Sequence, residues 1–464
     1  MAKPVESSTS PRHSEASIAA RMDHLPITPL HRRAVVVIGL GQFFDLYEIF
    51  LAGVLSGVLA SQFKLDKGVV ALLLASAFIG MFVGAIALGR IADQLGRRRA
   101  FLLSLAIYST FSLLSAFSPG PGILVVTRFL AGLGIGAEPP IADSYLSDLL
   151  PPRKRGRYIA WAYTIGFLGV PASGFLARGL APIAPLGVEG WRWMFVIGAL
   201  GSVVVALLRR SLPESPRWLA ANDRGAEADE VVRRFEADVP DLPEPDPVHA
   251  VPVQDRGSFR ELLMPPFRRR TGMMALFHLL QSFGYYGFGT LVPLVLVAKG
   301  FPIVTSLGFA ALTFLGYPVG SLLSLPLVER LERKVLLVVS GLGMAVFGLL
   351  FGLSDAPAAI VVFGFLYTVI SNVFSNSFHV YQAEIFPTRL RATASGSTYA
   401  LSRLSNALLP FILLPVLAAH GPVAMFAVVS AAMVVVALDI GLLGPRTTGR
   451  DLESVNTSDA PITA

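Results

Sequence analysis

Residues Tyr145–Arg155 read YLSDLLPPRKR, and residues Tyr381–Arg391 read YQAEIFPTRLR. Tyr145, Asp148, Pro151, Arg153 and Arg155 match Tyr381, Glu384, Pro387, Arg389 and Arg391 at an offset of 236. A second pair obeys the same offset: Asp93 and Arg97 are repeated as Glu329 and Arg333. Two separate motifs sharing one spacing identify a duplicated structural unit.

Both motifs follow apolar stretches, and the rest of the chain is punctuated in the same way. A bilayer-spanning helix needs about 20 apolar residues. Such windows fall at Ala34–Ala60, Val69–Gly89, Ala100–Phe117, Gly122–Ser144, Tyr158–Leu180 and Trp191–Leu208. After a polar segment they resume at Thr271–Val297, Val304–Leu325, Val335–Leu353, Ala359–Tyr381, Ala394–Ala418 and Pro422–Leu443. The expected fold is therefore an all-α membrane protein with twelve transmembrane helices in two pseudo-symmetric six-helix bundles. Its expected parts are a tail over 1–32, a bundle over 33–210, a central loop over 211–270, a bundle over 271–444 and a tail over 445–464. Both tails read as disordered, and the first thirty residues show no apolar core of a cleaved signal peptide.

Composition agrees. Hydrophobic residues make up 53% of the chain, charged residues 15%, and mean hydropathy is +0.63. A soluble domain carries about a quarter charged residues, so the outer solvent here is lipid. With no cysteine, neither a disulfide framework nor a thiolate metal site exists. The net charge of +7 does not mark a nucleic-acid surface, because the basic residues cluster in alternate loops. One side carries Arg90, Arg97, Arg98 and Arg99, then Arg153, Lys154, Arg155 and Arg157, later Arg330, Arg333, Lys334, Arg389 and Arg391. Loops on the other side (SPGPG, SDAPA, AHGP) are nearly neutral. That bias places the basic loops and both termini in the cytoplasm, and we expect a bacterial inner-membrane location.

Three motifs carry a family resemblance. GRIADQLGRRR (Gly89–Arg99) resembles the loop between the second and third helices of the major facilitator superfamily, and RFLAGLGIGAEPP (Arg128–Pro140) its fourth-helix motif. PESPRWL (Pro213–Leu219) is similar to the motif of the sugar-porter-like branch, which also holds organic-ion and aromatic-acid transporters. The resemblance covers about Arg33 to Gly444 and implies alternating access around a midplane cavity. It also implies a cytoplasmic gate in which Asp93, Arg97, Asp148, Arg155, Glu214, Arg217, Glu329, Arg333, Glu384 and Arg391 pair across the bundles and separate on opening.

Ionisable residues at membrane depth are functional candidates. Asp45 and Glu48 in GQFFDLYEIF share one helix face, a turn apart. Rise arithmetic puts Asp45 near the midplane and Arg128 at the depth of Glu48, so a Glu48–Arg128 pair is expected, with Asp45 less compensated. A carboxylate in a low-dielectric cavity can exchange protons near neutral pH, which assigns proton coupling to Asp45, Glu48 and Arg128. The segment is similar to the acidic first-helix motif of aromatic-acid/proton symporters and nicotinate-type carriers, where the second acid is commonly Asp. Glu138 either joins the closing network or snorkels. In the second half, Gln281, Tyr285, Tyr286, Asn372, Asn376, His379, Arg403 and Asn406 fall near the midplane. Arg403 has no acid nearby on its helix, and a guanidinium facing a cavity attracts a carboxylate. Gln281, Tyr285, Tyr286, Asn372, Asn376, Arg403 and Asn406 are the expected substrate-binding set.

The chain has no G-x-x-x-x-G-K-[ST] and no H-E-x-x-H, so it is not read as an enzyme or an ATP-driven pump. The glycines of GLGIG (Gly132–Gly136) lie inside a span, where small residues serve helix packing. The expected function is proton-coupled uptake of a small organic carboxylate, aromatic ones included, by a monomer in the bilayer, with no cofactor, metal or nucleic acid. The alternatives are sugar or polyol transport, organic-cation transport, drug/proton efflux, or a non-transporting sensor. Efflux is weakened because Val170 stands where that class has Gly before Pro171, and no added signalling domain supports a sensor.

Overall fold

The computed structural model describes residues 11–239, 258–265 and 267–448, without the side chains of 11–17, 89, 90, 92, 93, 388, 389, 391 and 392. The first half holds α2 (Pro29–Phe63), α3 (Lys67–Leu95), α4 (Arg97–Ala116), α5 (Pro121–Leu149), α6 (Pro152–Phe167) with α7 (Gly169–Leu180), and α8 (Gly190–Arg210). The second holds α12 (Arg268–Ala298), α13 (Ile303–Phe314) with α14 (Gly316–Arg330), α15 (Arg333–Leu353), α16 (Pro357–Glu384) and α17 (Thr388–Leu443). Before and between them lie α1 (Pro11–His24), α9 (Pro216–Ala221), α10 (Gly225–Glu236) and α11 (Phe259–Leu262). Among the described residues 11 helices or helix pairs are long and apolar enough to cross a membrane. The last of these contains two of the expected spans, merged across Gly421, whose φ of 80° breaks the helical path.

Local chemistry sets the element ends. Thr28 caps α2 by accepting from the His31 N–H, so this helix begins at Pro29 and not at Ala34. Asp66 caps α3 through the Val69 N–H at 2.9 Å. The fifth and eighth spans each split at a parallel sequence, Leu168-Gly-Val-Pro171 and Leu315-Gly-Tyr-Pro318. A proline there cannot donate to the carbonyl four residues back, which opens the helix at that turn.

Small residues set helix spacing within a half. A Cβ at Gly80 would lie 2.0 Å from the Phe129 carbonyl oxygen, and one at Gly136 would lie 2.1 Å from that of Met81. α3 and α5 therefore touch backbone to backbone. Apolar faces turned outward, such as Leu200, Val203, Val204 and Leu207 on α8, are exposed as lipid-facing surfaces must be.

The halves meet most tightly at the ends remote from the basic loops. A Cβ at Gly53 on α2 would stand 2.5 Å from the Thr290 carbonyl oxygen on α12, and Gly174 on α7 packs on Ala311 of α13. Phe50 reaches Phe314, Tyr317 and Tyr286 of the other half. Gly53→Val is accordingly expected to hold this side open. The chain lacks cysteine, so a single Ser56→Cys reporter, buried here, gives a clean test. It should react with an impermeant thiol reagent in the Gly53→Val background and not in its absence.

The N-terminal tail departs from expectation. Over Pro11–His24 it forms α1, which packs on α9 and α10. Ile18, Met22 and Leu25 are buried there beside Val232 and Phe235. Arg21 donates to both Glu236 oxygens at 2.8 and 2.7 Å and to Asp229 at 2.5 Å, and Arg217 donates to Asp23 at 2.5 Å. The complementary surface comes from residues 194 to 215 positions away in the contacts above, so nothing local announced it. The central segment is likewise partly helical and not a plain loop. Burying an aliphatic side chain contributes about 1.5–3 kcal/mol. Ile18→Asp should therefore undock α1 and expose the α9–α10 segment to limited proteolysis.

Candidate functional site

In the first half, ionisable groups line up along the bundle interior. Arg128 on α5 pairs with the Glu48 carboxylate on α2, both fully buried, and also donates to the Glu48 carbonyl oxygen at 2.8 Å. The Ser112 hydroxyl on α4 donates to Glu48 Oε1, and the Phe195 ring centroid lies 5.4 Å from the guanidinium. The expected Glu48–Arg128 pair is thus present. One turn further in, Asp45 is 2% exposed, and neither carboxylate oxygen has a hydrogen-bond partner.

A second buried pair was not foreseen. Arg209, in the last turn of α8, donates to Glu138 Oε1 at 2.6 Å, with side-chain exposures of 2% and 0%. Glu138 therefore neither snorkels nor joins the loop network. The pair presses on α2 where a Cβ at Gly41 would lie 2.1 Å from Arg209 Nη2. Arg209 had been hidden in the sequence among the basic residues of a cytoplasmic helix end. Its guanidinium is held inward by stacking 3.6 Å over the Phe101 ring.

In the second half Arg403 on α17 is buried and donates to the hydroxyls of Tyr286 at 3.4 Å and Tyr399 at 3.1 Å. It also lies 5.1 Å from the Tyr399 ring centroid. No carboxylate pairs with it among the described residues. From the first half, Tyr163 on α6 donates to both oxygens of Asp143 and stacks 6.4 Å from His379 on α16. His379 in turn lies 6.1 Å from Tyr399. His379 is exposed beside these rings. Asp143, Tyr163 and Tyr399 went unnoticed because their meeting depends on how the halves dock, although Asp143 was visible as an acid inside a span.

The other expected substrate residues divide. Tyr285 and Tyr286 form an edge-to-face pair at 5.0 Å, and Tyr286 reaches across to Phe78. Gln281 is buried one turn before them. Asn376 donates to Ser324 at 2.6 Å beside Ser321, whose hydroxyl bonds Thr164 of the other half at 2.8 Å. Asn372, fully buried, donates to the Tyr317 backbone carbonyl and ties α16 to α14, while its Oδ1 has no hydrogen-bond partner among the described residues. Asn406 is buried with neither amide atom hydrogen-bonded.

At the basic ends the described charges connect elements within each half. Glu214 accepts from the backbone N–H groups of Arg97 and Arg98 at 3.0 and 3.1 Å, capping α4 from a distance. Burial raises its carboxyl above the ordinary value against the pull of these N–H groups. Asp148 accepts from Ser215 at 2.7 Å, Arg217 donates to the Asp148 backbone oxygen, and Arg155 bonds the Leu150 carbonyl. In the second half Arg333 approaches Glu384 at 3.5 Å, while Glu329 is exposed. The expectation of pairing across the bundles is corrected for these groups: in this conformation the halves are joined at the opposite side. The side chains of Asp93 and Arg391 lie outside the described residues.

Two repeated six-helix halves, with buried charges in one and a cationic aromatic cluster at their junction, define a secondary transporter of the major facilitator type. The chain belongs to the sugar (and other) transporter family, whose sequence model matches residues 34–458. It is 30% identical to the niacin transporter NiaP of Acinetobacter baylyi (strain ATCC 33305 / BD413 / ADP1) over 94% of this chain and 99% of that one. It is 28% identical to the gentisate transporter of Corynebacterium glutamicum (strain ATCC 13032), covering 83% and 82%. A partially occluded inward-open structure of the Escherichia coli xylose transporter XylE superimposes with a TM-score of 0.75 at 18% identity, covering 91% and 100%.

Proposed function

We propose that this chain imports a small organic carboxylate, aromatic by preference, in symport with protons across a bacterial inner membrane. The observation that carries the reading is Arg403: a buried guanidinium at the junction of the halves, beside Tyr286 and Tyr399 with His379 next to Tyr399, and with hydroxyls but no carboxylate as partners among the described residues. A buried cation without a counter-ion is costly. A substrate carboxylate supplies the missing charge and fits the planar fork, while the tyrosine faces accept a planar ring. Niacin and gentisate, named for two relatives, are both ring carboxylates, which supports the same class.

Coupling is assigned to the acids of the first half. Protonation of Asp45 neutralises a buried carboxylate that makes no hydrogen bond among the described residues and permits the halves to reorient, with Glu48 and Arg128 holding the neighbouring turn in place. Asp45→Asn is expected to remove concentrative uptake while leaving carboxylate binding at Arg403 measurable. Full accumulation by this variant against a gradient would refute the assignment. Thermal stabilisation of purified protein against a panel of carboxylates, sugars and organic cations identifies the class. Stabilisation by a sugar alone would transfer the reading to the sugar carriers.

A further inference from the structure

One buried arrangement is not used by the reading above. The Glu48–Arg128 pair balances one acid with one base. Beside it, Asp45 and Glu138 share only Arg209. One helical turn before Asp45, a Cβ at Gly41 would lie 2.7 Å from Glu138 Oε1 and 2.1 Å from Arg209 Nη2, so the Glu138–Arg209 pair faces the stretch of α2 that carries Asp45. Two Asp45 oxygens, Glu138 Oε2, and Arg209 Nε and Nη1 are buried without hydrogen-bond partners. Unpaired carboxylate acceptors and unpaired guanidinium donors thus sit in one buried cluster.

The groups facing Asp45 come from several elements. Glu48 lies on its own helix, Glu138 on α5, Arg209 on α8 and Tyr108 on α4, while Gly166 and Gly169 of α6 and α7 pack on Gln42, Phe43 and Tyr47 of that helix. Beyond Arg209, toward the basic ends, Ile38, Arg98, Phe101, Tyr145, Arg209 and Leu212 line a half-open recess of about 10 Å³, the room of a single water. Tyr145 holds one wall by donating to the Pro213 carbonyl at 2.7 Å. Arg98, at the other wall, sits at the start of α4 by the cytoplasmic loop.

We propose that Glu138 and Arg209 form the release limb for the proton, so that it leaves Asp45 through the interior of the first bundle and not through the substrate cavity. The O–H bond on Asp45 breaks as one forms on Glu138. Neutral Glu138 loosens its bond to Arg209, whose charge then compensates the ionised Asp45. Glu138 passes the proton to water in the recess beside Tyr145 and Arg98, and the Glu138–Arg209 pair re-forms. Substrate and proton then exit by separate routes, and each can leave without the other blocking it. This inference rests on Asp45 being the coupling acid, but not on the identity of the substrate.

The test uses the full-length protein reconstituted in lipid, with Asp45→Asn, Glu138→Gln and Arg209→Lys variants each verified by thermal melting. Infrared difference spectra are recorded across a step from acidic to neutral pH without any substrate, reading the carbonyl stretch of protonated carboxyl. The expected result is a band that Asp45→Asn removes and that Glu138→Gln and Arg209→Lys each shift. A band removed by Asp45→Asn but identical in the other two variants would overturn the release limb while leaving Asp45 as coupling acid. No change with any variant would overturn both. Proton-driven accumulation of nicotinate in the same vesicles provides the second arm. Glu138→Gln is expected to bring it down to equilibration while exchange of labelled for unlabelled nicotinate at matched pH persists. Should the unsubstituted protein fail to accumulate nicotinate, the substrate reading falls and the infrared arm still decides the relay.

Discussion

Arg403→Ala should abolish stabilisation of the purified protein by carboxylates, while its melting temperature without ligand changes little. The guanidinium makes only two long hydrogen bonds, to Tyr286 and Tyr399, so its removal disturbs few internal contacts. Truncating one partner of a buried hydrogen-bonded charge pair costs about 2–5 kcal/mol. At about 1.4 kcal/mol per decade, the expected loss in affinity is roughly thirty-fold to several thousand-fold. Arg403→Lys keeps the charge but not the planar fork and should fall between. Calorimetric titration with nicotinate or benzoate measures both. Unchanged affinity in Arg403→Ala would make this residue structural.

The second large effect is expected at Arg128. Its partner Glu48 is fully buried and receives bonds from Arg128 and Ser112 alone. Removing the cation leaves a carboxylate enclosed between α2, α4, α5 and α8, and breaking such a pair costs about 3–5 kcal/mol. Arg128→Ala should therefore lower the melting temperature sharply. Combining it with Glu48→Gln should restore much of the loss, because the orphaned charge disappears. A double variant no more stable than Arg128→Ala would show that the guanidinium acts through packing against Phe195 rather than through Glu48.

How much of this could be read from the chain follows the range of the interactions. The repeat at an offset of 236, the twelve apolar windows and the Glu48–Arg128 pair were legible, since each depends on periodicity and helical rise. Arg209 was not, because a basic residue at a cytoplasmic helix end is ordinarily a topology signal. Only the fold brings it over Phe101 to Glu138. The Asp143–Tyr163–His379 contact needs both halves docked, and no local pattern encodes that. Asn372 lies within α16 as expected, yet its amide N–H is turned to the Tyr317 carbonyl because Gly320 lets α14 approach α16. The docking of α1 was hidden for the same reason: Arg21 finds Asp229 and Glu236 only after the central segment folds back.

The most direct test of the central claim is uptake into proteoliposomes under an imposed inward proton gradient with no other driving ion. Under the proposed function, nicotinate or gentisate is expected to accumulate above its external concentration, and a protonophore to collapse the accumulation. Concentrative uptake of xylose with no uptake of any carboxylate, or carboxylate accumulation that ignores the proton gradient, would contradict it.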